Sequence, residues 1–308
     1  MAGFDKSCNV FNYCLMIYKE RVISGQHLCR LVNDSLADIE FGETVVDLGA
    51  GSGRVVQAIT QLSAESDVIG VEIDPELCYQ GREAGFNFIN ADASHLPLKD
   101  ESTDTVTAVN SFHEIAAHPS EEMRLALFET AAGEASRIMK LGGRLLMFDG
   151  FMPEDETQKL TLMPRQERAM DLLMRFDREY EARKPNISIR DSSPIVAETD
   201  LATATTLLTK LKYLIDARAW SGERQQLYPF ASLDSITKAM QRMGLRIDSI
   251  DFPASNLRLG LRSLFGNFVI STAEGEVYRP HTFPACQVLL TATKIEGYIL
   301  PVRMGYPE

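Results

Sequence analysis

The spacing of apolar positions changes character along the chain. Residues 7–40 carry Phe11, Leu15, Tyr18 and Val22, then Leu28, Leu31 and Leu36, at intervals of three to five, which predicts helix. From residue 44 the pattern becomes a series of short β-rich runs, at 44–48, 68–73, 86–90, 105–110 and 144–149. Helix-compatible stretches lie between them at 54–64, 75–84 and 119–140, with Pro75 and Pro119 suited to first helical positions. Nearly all-apolar strands alternating with helices predict a mostly parallel sheet with helices on both faces.

The alternation stops at about residue 151. Residues 154–184 and 199–217 are charged and helix-forming, and Pro185-Asn186 and Ser192-Ser193-Pro194 break the stretch. It resumes as a helix at 232–243 and strands at 245–252 and 287–294. The expected organisation is an N-terminal helical cap over 1–40, a core over 41–150, a mainly helical lid insertion over 151–228, and the rest of the core sheet within 229–308. A separate second domain is the weaker alternative, because the last two strands would then have no sheet to join.

Composition narrows the function. The chain has 308 residues, 45% hydrophobic and 24% charged, ordinary values for a globular protein with a sizeable core. Its formal net charge of -12 argues against a nucleic-acid partner, which is gripped mainly through excess Lys and Arg. Cys8, Cys14, Cys29, Cys78 and Cys286 are odd in number and scattered, with no C-x-x-C pair. They read as reduced thiols of a cytoplasmic protein without a metal site. No apolar run reaches the ~18 residues of a membrane span, so no membrane partner is expected. The first residues lack the basic and small-residue pattern of a signal peptide.

Four segments carry chemistry. In Val45-Val46-Asp47-Leu48-Gly49-Ala50-Gly51-Ser52-Gly53-Arg54 a strand enters a glycine turn and then a helix. Glycines allow positive φ and close approach of backbone to ligand, and the helix start offers unpaired N–H groups. The nicotinamide fingerprint G-x-G-x-x-G would need glycine where Arg54 stands. In Gly70-Val71-Glu72-Ile73-Asp74-Pro75, Glu72 ends the second strand, where a carboxylate can accept from both hydroxyls of a ribose; Asp74 suits a helix N-cap. Asn90-Ala91-Asp92-Ala93 follows the third strand, and Asp92 can accept from an adenine amino group. Met139-Lys140-Leu141-Gly142-Gly143-Arg144 is a helix-to-strand turn.

In this order and spacing, the segments resemble the motifs of the class I S-adenosylmethionine (SAM)-dependent methyltransferase superfamily. The likeness covers residues 41–150 and returns at 232–252 and 286–294. It departs at Lys140-Leu141, where the family often has Lys-Pro. The resemblance implies a Rossmann-like sheet of seven strands, the last antiparallel, and SAM as cofactor. The cofactor-binding set it implies is Asp47, Gly49, Ala50, Gly51, Gly53, Glu72, Ile73, Asp92, Ala93 and Asn110.

Strand four ends in Val109-Asn110-Ser111-Phe112-His113-Glu114, at the edge where open α/β sheets bind ligands. His113 is a candidate general base, and a structural imidazole beneath the cofactor is the preferred alternative. Arg218, Trp220 and Arg224 are candidates for gripping the acceptor, against the equal reading of a buried aromatic with solvated charges. The leading function is methyl transfer to an oxygen, nitrogen or carbon of a small-molecule acceptor. The alternatives are a peptide or protein acceptor, a SAM-binding interaction protein without activity, and, more remotely, a nicotinamide-dependent dehydrogenase.

Overall fold

The computed structural model describes residues 40–118, 120–190, 195–211, 213–214, 216–228, 231–252, 263–280, 282–284 and 287–296. The helical cap expected over 1–40 lies, but for Glu40, outside the described residues, as does Pro119.

The first half alternates as its pattern predicts. β1 (Thr44–Leu48), α1 (Arg54–Leu62), β2 (Asp67–Glu72), α2 (Pro75–Glu83), β3 (Asn87–Asn90) and β4 (Thr103–Val109) are followed by α3 (Phe112–Ile115), α4 (Glu121–Ile138) and β5 (Met139–Gly150). Pro75 opens α2, and the Asp74 carboxylate caps it by accepting from the N–H groups of Glu76 and Leu77. β6 (Lys159–Pro164), α5 (Glu167–Glu179), β7 (Ser188–Arg190), β8 (Val196–Asp200), α6 (Leu201–Lys210) and α7 (Ala217–Glu223) make up the insertion. The chain closes with α8 (Leu233–Arg242), β9 (Leu245–Asp251), β10 (Phe268–Thr272) and β11 (Gln287–Lys294).

Seven strands form one sheet in the order β3-β2-β1-β4-β5-β11-β9. β1 to β5 are parallel, and β11 runs antiparallel between β5 and β9. Strand neighbours reverse direction of progression between β1 and β4, the switch point at which a crevice opens beyond the carboxyl ends. Alternate residues of β1 serve the two faces. Val46 and Leu48 pack with α4 and α8 through Phe128, Ala132 and Met240. Val45 packs with α1 through Val56 and Ile59. Both faces are dry, so the strands read as continuous apolar runs.

The insertion holds more strand than its sequence suggests. A second, antiparallel sheet has the order β10-β6-β8-β7. Residues 159–164, read as helix because the surrounding charges suit one, form β6, whose Leu160 and Leu162 point into a core at a period of two. β10 comes from the span expected to complete the main sheet, yet it pairs with β6 along Phe268–Pro164 to Thr272–Leu160. Its run Phe268-Val269-Ile270-Ser271-Thr272 is rich in β-branched residues and buries alternate positions, a local signal that was there to read. Leu173, Phe176, Leu207, Trp220, Phe268 and Ile270 share this core, so the upper unit has its own hydrophobic centre.

Candidate active site

The glycine turn after β1 is built as its sequence requires. Gly49, Gly51 and Gly53 all have positive φ, at 66°, 55° and 92°. A Cβ on Gly49 would strike the Cβ of Ser111, so this glycine lets the turn after β1 close on the turn after β4. A Cβ on Gly51 would meet nothing within 4 Å, so its outer face opens onto free space. Ala50 donates its N–H to the carbonyl of Val71, tying the turn to β2.

Two acids lie behind this turn. Asp47, 1% exposed, accepts from the Thr107 hydroxyl at 2.7 Å through Oδ1. Its Oδ2 is buried and has no hydrogen-bond partner. Burial disfavours its charge most; the Thr107 hydrogen bond opposes this and the Glu72 charge adds to it, so the carboxyl is pushed up to about 7. Glu72 accepts from Gly51 N–H at 2.7 Å and from Asp74 N–H at 2.9 Å. Ser111 also buries an unsatisfied hydroxyl, at the turn against Gly49. Buried polar atoms without partners are costly, and here one lies on the strand that enters the glycine turn and the other on the turn packed against Gly49. Sequence reasoning passed over Ser111; its signal was its place directly after Asn110.

Beyond β2 and β3 the surface changes character. Ile73 is an apolar side chain left 65% exposed. Asp92 is exposed and accepts from both the N–H and the hydroxyl of Ser94 at 2.8 Å, which fixes its carboxylate, while Ala93 is buried beneath. Asn110 has a positive φ of 52° and donates its N–H to the Phe148 carbonyl at 2.7 Å. This strained backbone turns the chain out of β4 into α3.

His113 follows at the start of α3. Its Nδ1 lies 2.8 Å from Oδ1 of Asp149, the fully buried penultimate residue of β5, and its own N–H reaches Oδ2 of the same carboxylate. Asp149 therefore holds the imidazole from two sides and selects the tautomer with the proton on Nδ1, leaving Nε2 to accept. Nε2 is 4.0 Å from the Glu114 carboxylate. Burial opposes the imidazolium most, but the charge and hydrogen bond of Asp149 together outweigh it, and the His113 pKa is raised. Tyr228, at the end of the insertion, meets the His113 ring edge-on at 4.7 Å between centroids. Its own ring lies over Gly150, where any Cβ would collide with it. Asp149 and Tyr228 were not singled out in the sequence, because they reach His113 from distant parts of the chain.

The residues expected to grip an acceptor are not brought together. Trp220 is 2% exposed, stacks with Tyr180 in the upper core, and donates its indole N–H to Glu179 at 2.9 Å. Arg218 is exposed, and Arg224 pairs with Glu181 at 3.3 Å. Trp220 packs with Phe176, Tyr180 and Phe268 in the core of the second sheet, the buried-aromatic arrangement that the sequence offered as the equal reading. Among the described residues there is no cluster of His, Cys, Asp or Glu that could hold a metal ion, and no helix long and apolar enough to cross a membrane.

Sheet order, switch point and glycine turn place this chain among the doubly wound α/β proteins that bind nucleoside ligands. Residues 46–147 match the family model described as a methyltransferase domain, so this stretch of the chain carries a domain of that kind. An uncharacterized methyltransferase YcgJ of Bacillus subtilis (strain 168) is 32% identical over 126 residues, 39% of this chain and 45% of that protein. The ubiquinone/menaquinone biosynthesis C-methyltransferase UbiE of Pseudomonas paraeruginosa is 27% identical over 127 residues, 38% of this chain and 46% of that one. The chain thus spans about half the length of these curated relatives. A geranyl diphosphate C-methyltransferase from Streptomyces coelicolor A3(2), solved with Mg2+, geranyl diphosphate and S-adenosyl-L-homocysteine, shares the fold at a TM-score of 0.50 and 14% identity. That match covers 90% of this chain and 80% of the other.

Proposed function

We propose that this chain is a SAM-dependent methyltransferase that acts on an oxygen, nitrogen or carbon of a small molecule. The observation that carries this reading is the glycine turn after β1, where Gly51 keeps an open face and Asp47, in the strand that enters the turn, keeps an unsatisfied buried oxygen. A buried carboxylate with a spare acceptor suits the ammonium of a methionine moiety, and the free space over Gly51 suits its close approach.

In this reading the turn 49–53, with Asp47 and Ala50, holds the methionine end, aided by Asn110. Glu72 keeps its two backbone donors and uses its remaining lone pairs for the ribose hydroxyls. Ile73 and Ala93 flank the adenine, whose amino group donates to Asp92. When bound, SAM would supply an electrophilic methyl group to the acceptor's lone pair, with S-adenosylhomocysteine as the by-product. The protein's own part is to align the acceptor, exclude water and remove a proton. His113 takes that proton on Nε2, and Asp149 is the positioning residue that fixes its tautomer and stabilises the charge. The insertion 151–228, joined by β10, roofs the acceptor. The acidic net charge and the buried carboxylates favour a compact acceptor over nucleic acid, and the scattered cysteines favour a cytoplasmic setting.

Titration calorimetry with SAM and with NAD tests the cofactor. Incubation of labelled SAM with small-molecule and peptide pools, read by mass spectrometry, tests the acceptor. Binding of NAD in place of SAM would overturn the reading, label found only in peptides would replace the acceptor class, and SAM binding with no labelled product would leave an interaction protein.

A further inference from the structure

The short helix α3 sets two polar side chains of different burial side by side. Phe112 is driven into the core, edge-on to Phe128 of α4 at 4.8 Å between centroids, and Ile115 packs against the same cluster. The N–H groups of Glu114 and Ile115 both go to the Ser111 carbonyl, at 3.1 and 2.9 Å. The turn is anchored on both sides of His113 and Glu114. Asp149 holds Nδ1 of His113 at 2.8 Å, and Tyr228 meets the ring edge-on. The other ring nitrogen, Nε2, has no hydrogen-bond partner among the described residues, and it is not one of the buried unsatisfied atoms, so it keeps an open side. Beside it lies the Glu114 carboxylate, 4.0 Å from Nε2, on a side chain that is 57% exposed. That distance is too long for a hydrogen bond between the two. It leaves a pair of hydrogen-bond acceptors, one at the edge of the interior and one in the open.

A nitrogen placed about 2.9 Å from both atoms, an ordinary hydrogen-bond length, would see them roughly 90° apart. The two N–H bonds of one amine nitrogen spread at a tetrahedral angle, so a single nitrogen serves both with little bending. A hydroxyl has one hydrogen and serves only one of them. Resting on the methyltransferase reading above, we propose that the methyl acceptor is a primary amine, bound in its neutral form with its nitrogen between Nε2 of His113 and the carboxylate of Glu114. With both N–H bonds engaged, the nitrogen lone pair points away from the two residues and is free for methylation. The proton step balances within the site. The methylated nitrogen carries a positive charge until one N–H bond breaks; the electron pair of that bond stays on nitrogen, and the proton passes to Nε2, where Asp149 stabilises the imidazolium. Two carboxylates within 4.0 Å of one imidazole favour a nitrogen that turns cationic, and they disfavour an acceptor that arrives as an anion. Glu114 sets the class of acceptor, and His113 removes the proton.

Ligands of one shape test this without turnover. Aniline carries two N–H hydrogens, phenol one O–H, and N,N-dimethylaniline none. Each is titrated into protein saturated with S-adenosylhomocysteine, at a pH where the imidazole is neutral, and the Cε1 signal of 13C-labelled His113 is followed by NMR. Calorimetry with S-adenosylhomocysteine is run on the same preparations. Aniline is expected to displace the signal saturably and to bind about tenfold more tightly than phenol, the scale of one charge-assisted hydrogen bond. N,N-dimethylaniline should leave the signal in place, and binding equal to that of aniline would overturn the proposal. Glu114→Ala should bring aniline down to the affinity of phenol without moving that of phenol itself. Glu114→Gln, which keeps an acceptor oxygen, should retain part of the preference. A Glu114 with a structural role only would, on replacement by Ala, weaken both ligands alike or neither, and either result overturns the proposal. So does the absence of a saturable shift with aniline in wild-type protein that binds S-adenosylhomocysteine, which leaves the methyltransferase reading standing. Failure to bind S-adenosylhomocysteine removes both.

Discussion

At the scale of single residues, Asp47 couples the candidate site to stability. Its carboxyl titrates at about 7 in the fold against an ordinary 3.8, chiefly because it is buried. Between these values the folded chain holds more protons than the unfolded one, so this group's contribution to stability is present at low pH and is lost as pH rises through the folded value. The ligand-free protein should therefore melt at a lower temperature at pH 8 than at pH 5, and Asp47→Asn should flatten that slope. Equal slopes in thermal melts of the two proteins would show that Asp47 is ionised throughout. His113 offers a second test with the opposite chemistry. Burial works against its charge, but Asp149 outweighs burial and raises the pKa. A rate limb governed by His113 should then lie above the ordinary histidine range, since the neutral imidazole is the active form. Asp149→Asn takes away the compensating charge, so the limb should move to lower pH while kcat falls about 10²-fold or more, the usual scale of general-base loss. A pH–rate profile with an unmoved limb would mean that another group is the base.

At the scale of elements, the turn after β1 assigns different duties to neighbouring glycines. Gly49 is packed against Ser111, whereas Gly51 faces open space. Gly49→Ala should destabilise the fold, since the backbone of two turns must part to admit a Cβ. Gly51→Ala meets no obstacle; its cost to stability is only the positive φ, about 1–2 kcal/mol, but it should weaken SAM binding severely. Denaturation and calorimetry on the two variants separate these effects. A Gly51→Ala protein with wild-type SAM affinity would refute the placement of the methionine end. The motif's spacing announced this turn because strand, glycines and helix are contiguous. It could not announce the Ser111 contact, which depends on how β1 and β4 lie side by side.

At the scale of the whole molecule, the second sheet has a hydrophobic centre separate from those of the main sheet, and Trp220 belongs to it. Trp220→Ala should cost about 3–5 kcal/mol through the cavity it leaves. The loss should fall on the lid: hydrogen exchange should quicken in 159–223 and 268–272, and the seven-stranded sheet should keep its protection. SAM affinity should hardly change, while turnover drops because the roof no longer seats Tyr228. Equal loss of protection in both sheets would show that the two sheets unfold as one.

The main sheet and its nucleotide-type turn were legible in the chain because each of their signals is local. An apolar run, a glycine turn and an acid two residues before it are read within ten residues, and their order along the chain carries the sheet's topology. The lid was less legible. β6 is short and set among charges, so its alternation of Leu160 and Leu162 was outweighed by helix-forming neighbours. Its partner β10 lies about a hundred residues away, and a strand without a nearby mate has no signature beyond its own few side chains. The acceptor side shows the same division. His113 stood out because a histidine after strand four lies at a ligand-binding edge. Its partnership with Asp149 and the closure by Tyr228 arise only when β5 and the end of the insertion converge in space, since a charge's environment is set by what packs around it and not by what precedes it in the chain.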